Sequence, residues 1–139
     1  MRIGLFVPCF IDAFFPEVGI ATLELLERLG QEVIYPREQT CCGQPMANIG
    51  FNADCAATEA LFVRNFSGFD YVIAPSGSCV HHVRGHFDVI EQTEEVKEVR
   101  AHLRTRGVPA RCAEGRRLSL GAIPASCGVA QQLWDAPRA

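Results

Sequence analysis

Residues 71–79 read YVIAPSGSC, a short apolar run that ends abruptly in proline, serine, glycine and cysteine. An apolar run of this length, bounded by turn residues, predicts a buried β-strand. Residues 3–8 (IGLFVP) and 32–35 (EVIY) have the same character, and a proline stands at the end of each run. The sequence therefore predicts three short strands, and a cysteine lies within five residues of the end of two of them.

Helical patterns separate these strands. Residues 16–29 carry apolar side chains at helical spacing before Gly30, and residues 53–66 end at a Ser-Gly pair. We also predict helices over residues 80–87 and 94–106, and a loop over residues 37–50. Alternating strands and helices favour crossover connections and a parallel sheet. We therefore expect a three-layer α/β sandwich with a small parallel sheet of three or four strands.

Composition narrows the class of protein further. The chain has 139 residues, of which 48% are hydrophobic and 21% charged, as is typical of a globular domain. Its formal net charge of −3 gives no general reason to expect nucleic-acid binding. No apolar run reaches the roughly 18 residues needed to span a membrane, and the N-terminal stretch does not resemble a signal peptide. We expect a cytoplasmic protein without a membrane span.

Charge divides the chain into two parts. Residues 1–99 contain 6 basic and 14 acidic side chains, whereas residues 100–139 contain 7 basic and 2 acidic ones. Such a shift indicates a boundary. We interpret residues 1–100 as a cysteine-rich domain and residues 101–139 as an atypical tail rich in Arg, Ala, Gly and Pro, with truncation or a frameshift as a hypothesis for its origin. The tail lacks the aromatic platform and the dense basic block of a nucleic-acid arm.

Seven cysteines are the unusual feature of the composition. In a parallel α/β sheet, sites form at the carboxyl ends of the strands. Cys9 follows the first strand, Cys41 and Cys42 lie in the loop after the second, and Cys79 follows the third. We therefore expect these thiols to meet at one edge of the sheet. Thiolates are the soft ligands that iron–sulfur clusters require, and adjacent cysteines can face separate iron atoms.

Other interpretations of the cysteines stay open. The same thiols could hold zinc or form a redox-active thiol or disulfide pair, although zinc sites usually show short Cys-x2–4-Cys hooks. We interpret Cys55 as a core residue, and we do not favour Cys112 or Cys127 as ligands. Gly43 and Gly77 would remove a side chain where the backbone must turn tightly beside a bulky inorganic group.

The histidines and the phenylalanines that follow Cys9 each allow a structural interpretation beside a functional one. His82 and His86 share a helix face, so they suggest a second metal site, but we favour surface or capping roles for the four histidines. Phe10, Phe14 and Phe15 lie just past Cys9. They fit a hydrophobic cover over a cluster, a partner interface or ordinary core.

The cysteine motifs as a set resemble a known family. Cys9, the run CCGQP at 41–45 and PSGSC at 75–79 are similar to the cysteine-rich CCG domain. That domain occurs in heterodisulfide reductases, in the iron–sulfur component of glycolate oxidase and in lactate-utilisation protein A. The flanking sequence is most similar to the lactate-utilisation group.

The resemblance implies a Rossmann-like α/β fold and an iron–sulfur protein. Cys9, Cys41, Cys42 and Cys79 would hold a [4Fe–4S]-type cluster. The chain would carry electrons in a complex that oxidises L-lactate or glycolate, together with partner subunits. The resemblance assigns no catalytic residue.

Two features depart from the family pattern. The family motif closes with Cys-x-x-Cys, whereas here either Ser76 or His82 stands in the place of one cysteine. Family members usually carry two such domains, and a second Cys-Cys-Gly motif is absent from this sequence. Two alternatives therefore remain beside electron transfer: a cluster-free, one-domain fragment or docking module, and a thiol–disulfide redox subunit of the heterodisulfide-reductase kind.

Overall fold

A parallel sheet of four strands organises the protein. The computed structural model describes residues 1–105 and the strand residues 110–111 and 117–118. The sheet consists of β1 (Arg2–Leu5), β2 (Glu32–Ile34), β3 (Tyr71–Ile73) and β4 (Leu103–Arg104). Two further strands, β5 (Ala110–Arg111) and β6 (Arg117–Leu118), pair antiparallel with each other. Cys112 and Cys127 lie outside the described residues, and the boundary near residue 100 stays a prediction.

Helices fill the connections between the strands of the sheet. They are α1 (Cys9–Phe14), α2 (Pro16–Arg28), α3 (Gln44–Asn48), α4 (Cys55–Phe66), α5 (Gly77–His86) and α6 (Glu94–His102). Local sequence explains several ends: Pro16 opens α2, and the Thr93 hydroxyl accepts a hydrogen bond from the Val96 N–H at the start of α6. None of the helices in the described part of the chain is long and apolar enough to cross a membrane.

The order of the strands creates a crevice at one edge of the sheet. The order is β2-β1-β3-β4, with all neighbours parallel. The chain therefore places β2 on one side of β1, and then adds β3 and β4 on the other side of β1. Such a reversal between β1 and β3 opens a crevice at the carboxyl ends of these two strands, where ligands bind in folds of this class. Cys9 and Cys79 lie in the connections that follow these two strands.

Each face of the sheet is covered by helices, which confirms the predicted three-layer α/β fold. On one face, Ile3 and Ile73 pack with Leu26 of α2. On the other face, Val72 belongs to a larger core built with α4, α5 and α6. Successive strand residues point to opposite faces, so Val72 and Ile73 enter different cores.

Four phenylalanines form the centre of the larger core. Phe6, Phe62, Phe66 and Phe87 are buried, and the ring centroid of Phe62 lies 4.9 Å from that of Phe6, 4.7 Å from that of Phe66 and 5.4 Å from that of Phe87. The pairs with Phe6 and Phe87 are edge-to-face, and aromatic pairs of this kind add to the free energy of apolar burial. Gly4 makes room for this cluster, because a Cβ atom there would lie 3.0 Å from Cδ1 of Phe66.

Three secondary-structure predictions differ from the structure. The helix predicted over residues 94–106 ends at His102, and Leu103 and Arg104 form the edge strand β4. Leu103 is completely buried, and the Arg104 carbonyl accepts a hydrogen bond from the Ala74 N–H at 3.0 Å, so tertiary contacts override local helix propensity. The loop predicted over residues 37–50 contains the short helix α3, and α5 begins at Gly77 rather than at Val80.

Candidate functional site

Cys9 and Cys41 are in contact although 32 positions separate them in the sequence. Cys9 is the first residue of α1 and is exposed, whereas Cys41 lies half-buried in the loop after β2. The Cys9 thiol donates to the Cys41 sulfur, with an Sγ–Sγ distance of 3.4 Å. The connections that follow β1 and β2 therefore bring these two thiols together, as their positions after the strands predict.

Gln39 fixes the loop that carries the adjacent cysteines. Its amide oxygen accepts from the Val7 N–H at 2.8 Å, and its amide nitrogen donates to the carbonyls of Leu5 at 3.1 Å and Pro36 at 3.0 Å. The bonds to Val7 and Leu5 tie the segment after β2 to the end of β1, and the bond to Pro36 holds Gln39 within its own loop. Sequence reasoning missed Gln39, because a polar side chain in a loop carries no local signal for contacts so distant in the chain.

Cys42 and Cys79 complete the group of thiols on its buried side. Cys42 is only 2% exposed, and Cys79 lies in the first turn of α5, directly after β3. Side-chain hydrogen bonds to Cys41 and to Cys79, together with burial, raise the pKa of the Cys42 thiol. The four thiols thus form one connected group in the order Cys9, Cys41, Cys42, Cys79 at the carboxyl edge of the sheet.

Hydrogen bonds within this group favour two thiolates. The bond from the Cys42 thiol, assisted by the Gly43 N–H and the Cys9 thiol, lowers the pKa of Cys41 to about 5 despite burial. The Cys42 thiol, with the hydroxyls of Ser76 and Ser78, lowers the pKa of Cys79 to about 6. Burial and the neighbouring Cys41 raise the pKa of Cys9. Soft metals bind cysteine as the thiolate, so this arrangement provides two prepared donors at neutral pH.

Gly43 holds the turn that follows the adjacent cysteines. Its φ of +84° is in the left-handed region, and its N–H donates to the Cys41 sulfur at 3.4 Å. A Cβ atom at this position would lie 3.9 Å from both the Cys55 sulfur and Nε2 of His82. Backbone conformation rather than lack of space therefore requires glycine here.

We expect Gly43→Ala to lower the free energy of unfolding by about 1–2 kcal/mol, because alanine resists the left-handed conformation. Urea denaturation of the metal-free protein measures this change. Gly77→Ala is the matched control, since a Cβ atom there meets nothing within 4 Å and its φ is not positive. Equal stability of the Gly43 variant and the parent would contradict the conformational role.

Ser76 and His82 are the two residues that could stand in place of a cysteine of the family's Cys-x-x-Cys motif. They lie in different surroundings. The Ser76 hydroxyl bonds to Cys79 and lies 3.3 Å from the Ser78 hydroxyl, so it belongs to the thiol group. His82 is 3% exposed, and its buried Nε2 has no hydrogen-bond partner. Its Nε2 would lie 3.9 Å from a Cβ atom at Gly43. Gly77 shows no conformational need for glycine, so its place beside a cluster stays a prediction.

The surface interpretation of the histidines is wrong for His82, whereas His81 and His86 are exposed. Cys55 is buried at the start of α4, as predicted, and its thiol donates to the carbonyls of Phe51 at 3.4 Å and Gly43 at 3.8 Å. Cys55 thus supports the Gly43 turn from behind.

The aromatic residues after Cys9 are not core. Phe10, Phe14 and Phe15 are all exposed, and Phe14 is 74% accessible. The rings of Phe10 and Phe15 contact each other with centroids 6.1 Å apart. The interpretations as a cover or as a partner interface stay predictions.

Residues of α3, α4 and α5 line most of a polar cavity of about 410 Å³. Three histidines, two acidic side chains, three side-chain amides and the Cys55 thiol line most of it: His81, His82, His86, Glu59, Asp88, Gln44, Asn48, Asn52 and Cys55. Glu59 is 1% exposed, and its carboxylate accepts a hydrogen bond from the Ile90 N–H at 3.3 Å. Burial raises the pKa of Glu59.

Glu59 makes stability depend on pH in a defined direction. Because its pKa is higher in the folded chain than in the unfolded one, stability falls as pH rises from the unfolded value of about 4.3 through the folded value. The advantage of Glu59→Gln over the parent in unfolding free energy should therefore grow with pH across this window. Urea denaturation from pH 4.5 to pH 8 measures the two free energies of unfolding. A difference between variant and parent that does not change with pH would contradict a raised pKa of Glu59.

The donor set fits a thiolate-bound cluster. In the described residues, no three His, Cys, Asp or Glu groups converge on a single metal-ion position. Cys9 and Cys41 are in direct contact, and a multi-iron cluster offers each ligand a separate iron atom. Four soft donors from three connections, two of them favouring the thiolate form, match the chemistry of such a group.

Known proteins resemble this chain over much of its length. The family model of the CCG cysteine-rich domain matches residues 3–84. Lactate utilization protein A of Geobacillus thermodenitrificans is 52% identical over 79 residues, which are 57% of this chain and 33% of that protein. Lactate utilization protein A of Bacillus subtilis is 48% identical over 79 residues, again 57% of this chain and 33% of the relative. Lactate utilization protein A 2 of Bacillus cereus is 36% identical over 107 residues, 76% of this chain and 44% of the relative.

The chain thus spans about a third of the length of the first two relatives. No solved structure matches it significantly. The match of the family model covers more than half of the chain and includes Cys9, Cys41, Cys42 and Cys79. The chain belongs to the CCG cysteine-rich domain family.

Proposed function

We propose that this chain is an iron–sulfur electron-transfer module of an L-lactate-oxidising system. Cys9, Cys41, Cys42 and Cys79 are the proposed ligands of a [4Fe–4S]-type cluster. The observation that carries the proposal is the connected group of four thiols at the carboxyl edge, in which Cys41 and Cys79 favour the thiolate. The names of the relatives support lactate as the substrate of the system.

The side chains have distinct tasks in this proposal. A cluster of this type supplies one-electron transfer when it is bound. Buried Cys42 and Cys79 shield their side of the site from water, while exposed Cys9 marks the side from which an electron partner approaches. The Gly43 N–H and the hydroxyls of Ser76 and Ser78 donate to sulfur, and such bonds tune the potential of a bound cluster. The partners are proposed to be other subunits of the lactate system.

Anaerobic reconstitution with ferrous iron and sulfide tests the cluster. The expected product is brown, contains iron and acid-labile sulfide in near-equal amounts, and gives an electron paramagnetic resonance signal after reduction with dithionite. A colourless, iron-free product would favour the cluster-free fragment. Tight binding of one zinc ion in place of iron and sulfide would favour a structural zinc site.

A chimera tests the link to lactate. The matching segment of the Bacillus subtilis relative is replaced with the corresponding residues of this chain, and the chimera is expressed in a strain that lacks the relative. We expect growth on L-lactate to return with the chimera and to fail with its Cys42→Ser variant. Growth that never returns, although the chimera binds iron and sulfide as the relative does, would contradict the proposed substrate system.

A further inference from the structure

In the cluster-free chain, the contact between Cys9 and Cys41 places two thiols where they can form a disulfide bond. Their sulfurs are 3.4 Å apart, so reaching a disulfide length of ~2.05 Å requires a closure of about 1.4 Å. Cys9 is exposed at the first position of α1, so its side chain is free to move without displacing core residues. The Gly43 N–H holds the Cys41 sulfur at 3.4 Å.

Other pairs of described cysteines are less suited to this chemistry. Cys41 and Cys42 are adjacent, so a disulfide between them would strain the backbone. Cys42, Cys55 and Cys79 are buried, which keeps an external reagent away from their sulfurs. Cys9 is the exposed member of the group and has a second thiol in contact, the arrangement that thiol–disulfide exchange needs.

We propose that the cluster-free chain exchanges with low-molecular-weight disulfides and forms a reversible Cys9–Cys41 disulfide. The exposed Cys9 thiol gives up its proton and attacks one sulfur of the external disulfide, a mixed disulfide forms on Cys9, and the first small thiol leaves with a proton. The Cys41 thiolate then attacks the Cys9 sulfur, and the second small thiol leaves. The two cysteines lose two electrons, the external disulfide gains them, and the two released thiols carry the protons.

The bond would control metal loading. A Cys9–Cys41 disulfide removes two of the four proposed ligands, so the oxidised chain must be reduced before it takes up iron. This consequence rests on the proposed function, whereas the exchange reaction itself does not.

The test uses the full chain with Cys112→Ser and Cys127→Ser, freed of iron with a chelator and incubated with oxidised glutathione. We expect two thiols to disappear, and peptide mapping to join Cys9 to Cys41. In Cys9→Ser the Cys9–Cys41 bond cannot form, so the number of thiols lost to any internal disulfide should fall at least tenfold. Cys41→Ser should stop at a glutathione adduct on Cys9. Cys55→Ser is the matched control and should form the bond like the parent.

Three results would overturn the proposal: no loss of thiols, a bond between Cys42 and Cys79 or between Cys41 and Cys42, or equal cross-linking in the Cys9 variant. Far-UV circular dichroism establishes that each variant is folded. Because the reaction is measured without iron, its failure is distinguishable from failure of cluster binding. If the chain binds iron and sulfide but forms no such disulfide, the proposed function stands and the disulfide proposal is wrong.

Discussion

Replacing Cys42 with serine is expected to abolish iron binding. Cys42 lies between Cys41 and Cys79 in the thiol group and is buried, so its loss removes one proposed ligand and the thiol that stabilises both neighbouring thiolates. Serine is a harder and weaker ligand for iron than a thiolate. After anaerobic reconstitution, iron and acid-labile sulfide per chain should fall at least tenfold below the parent.

Cys55→Ser is the matched control for this experiment. Cys55 is as buried as Cys42, but its thiol bonds to the carbonyls of Phe51 and Gly43 and takes no part in the thiol group. A serine hydroxyl can donate to the same carbonyls. The control should keep its iron and sulfide. Loss of iron in the Cys55 variant together with retention in the Cys42 variant would contradict the ligand assignment.

Phe62→Ala is expected to produce the largest loss of stability. Phe62 contacts Phe6, Phe66 and Phe87 in the centre of the larger core. Truncation of a buried phenylalanine leaves a cavity and costs about 3–5 kcal/mol, a large share of the roughly 5–15 kcal/mol that stabilises a typical domain. Urea denaturation of the metal-free protein measures the change.

Phe14→Ala provides the control for that measurement. Phe14 is 74% exposed, so its removal should change the free energy of unfolding by less than about 0.5 kcal/mol. A loss of stability at Phe14 as large as that at Phe62 would contradict the described core.

The α/β class and the grouping of the cysteines were predictable because both follow from local patterns. Short apolar runs indicated strands, and cysteines placed after parallel strands must reach the same edge of the sheet. The end of α6 was not predictable, because Leu103 leaves the helix only to pair with Val72 of β3. Burial of His82 depended likewise on helix packing that no single segment encodes.

Gln39 shows the same limit at the site. Its bonds to Leu5 and Val7 join segments more than thirty residues apart, and they place the adjacent cysteines beside Cys9. A glutamine among loop residues is compatible with many environments, whereas Gly43, beside two cysteines, indicated a special backbone conformation from sequence alone.

Iron anomalous diffraction from anaerobically grown crystals tests the central claim most directly. We predict an iron peak within bonding distance of the sulfurs of Cys9, Cys41, Cys42 and Cys79 at the carboxyl edge of the sheet. Iron bound at the histidine-lined cavity instead, or bound without Cys42 and Cys79, would contradict the proposed ligand set.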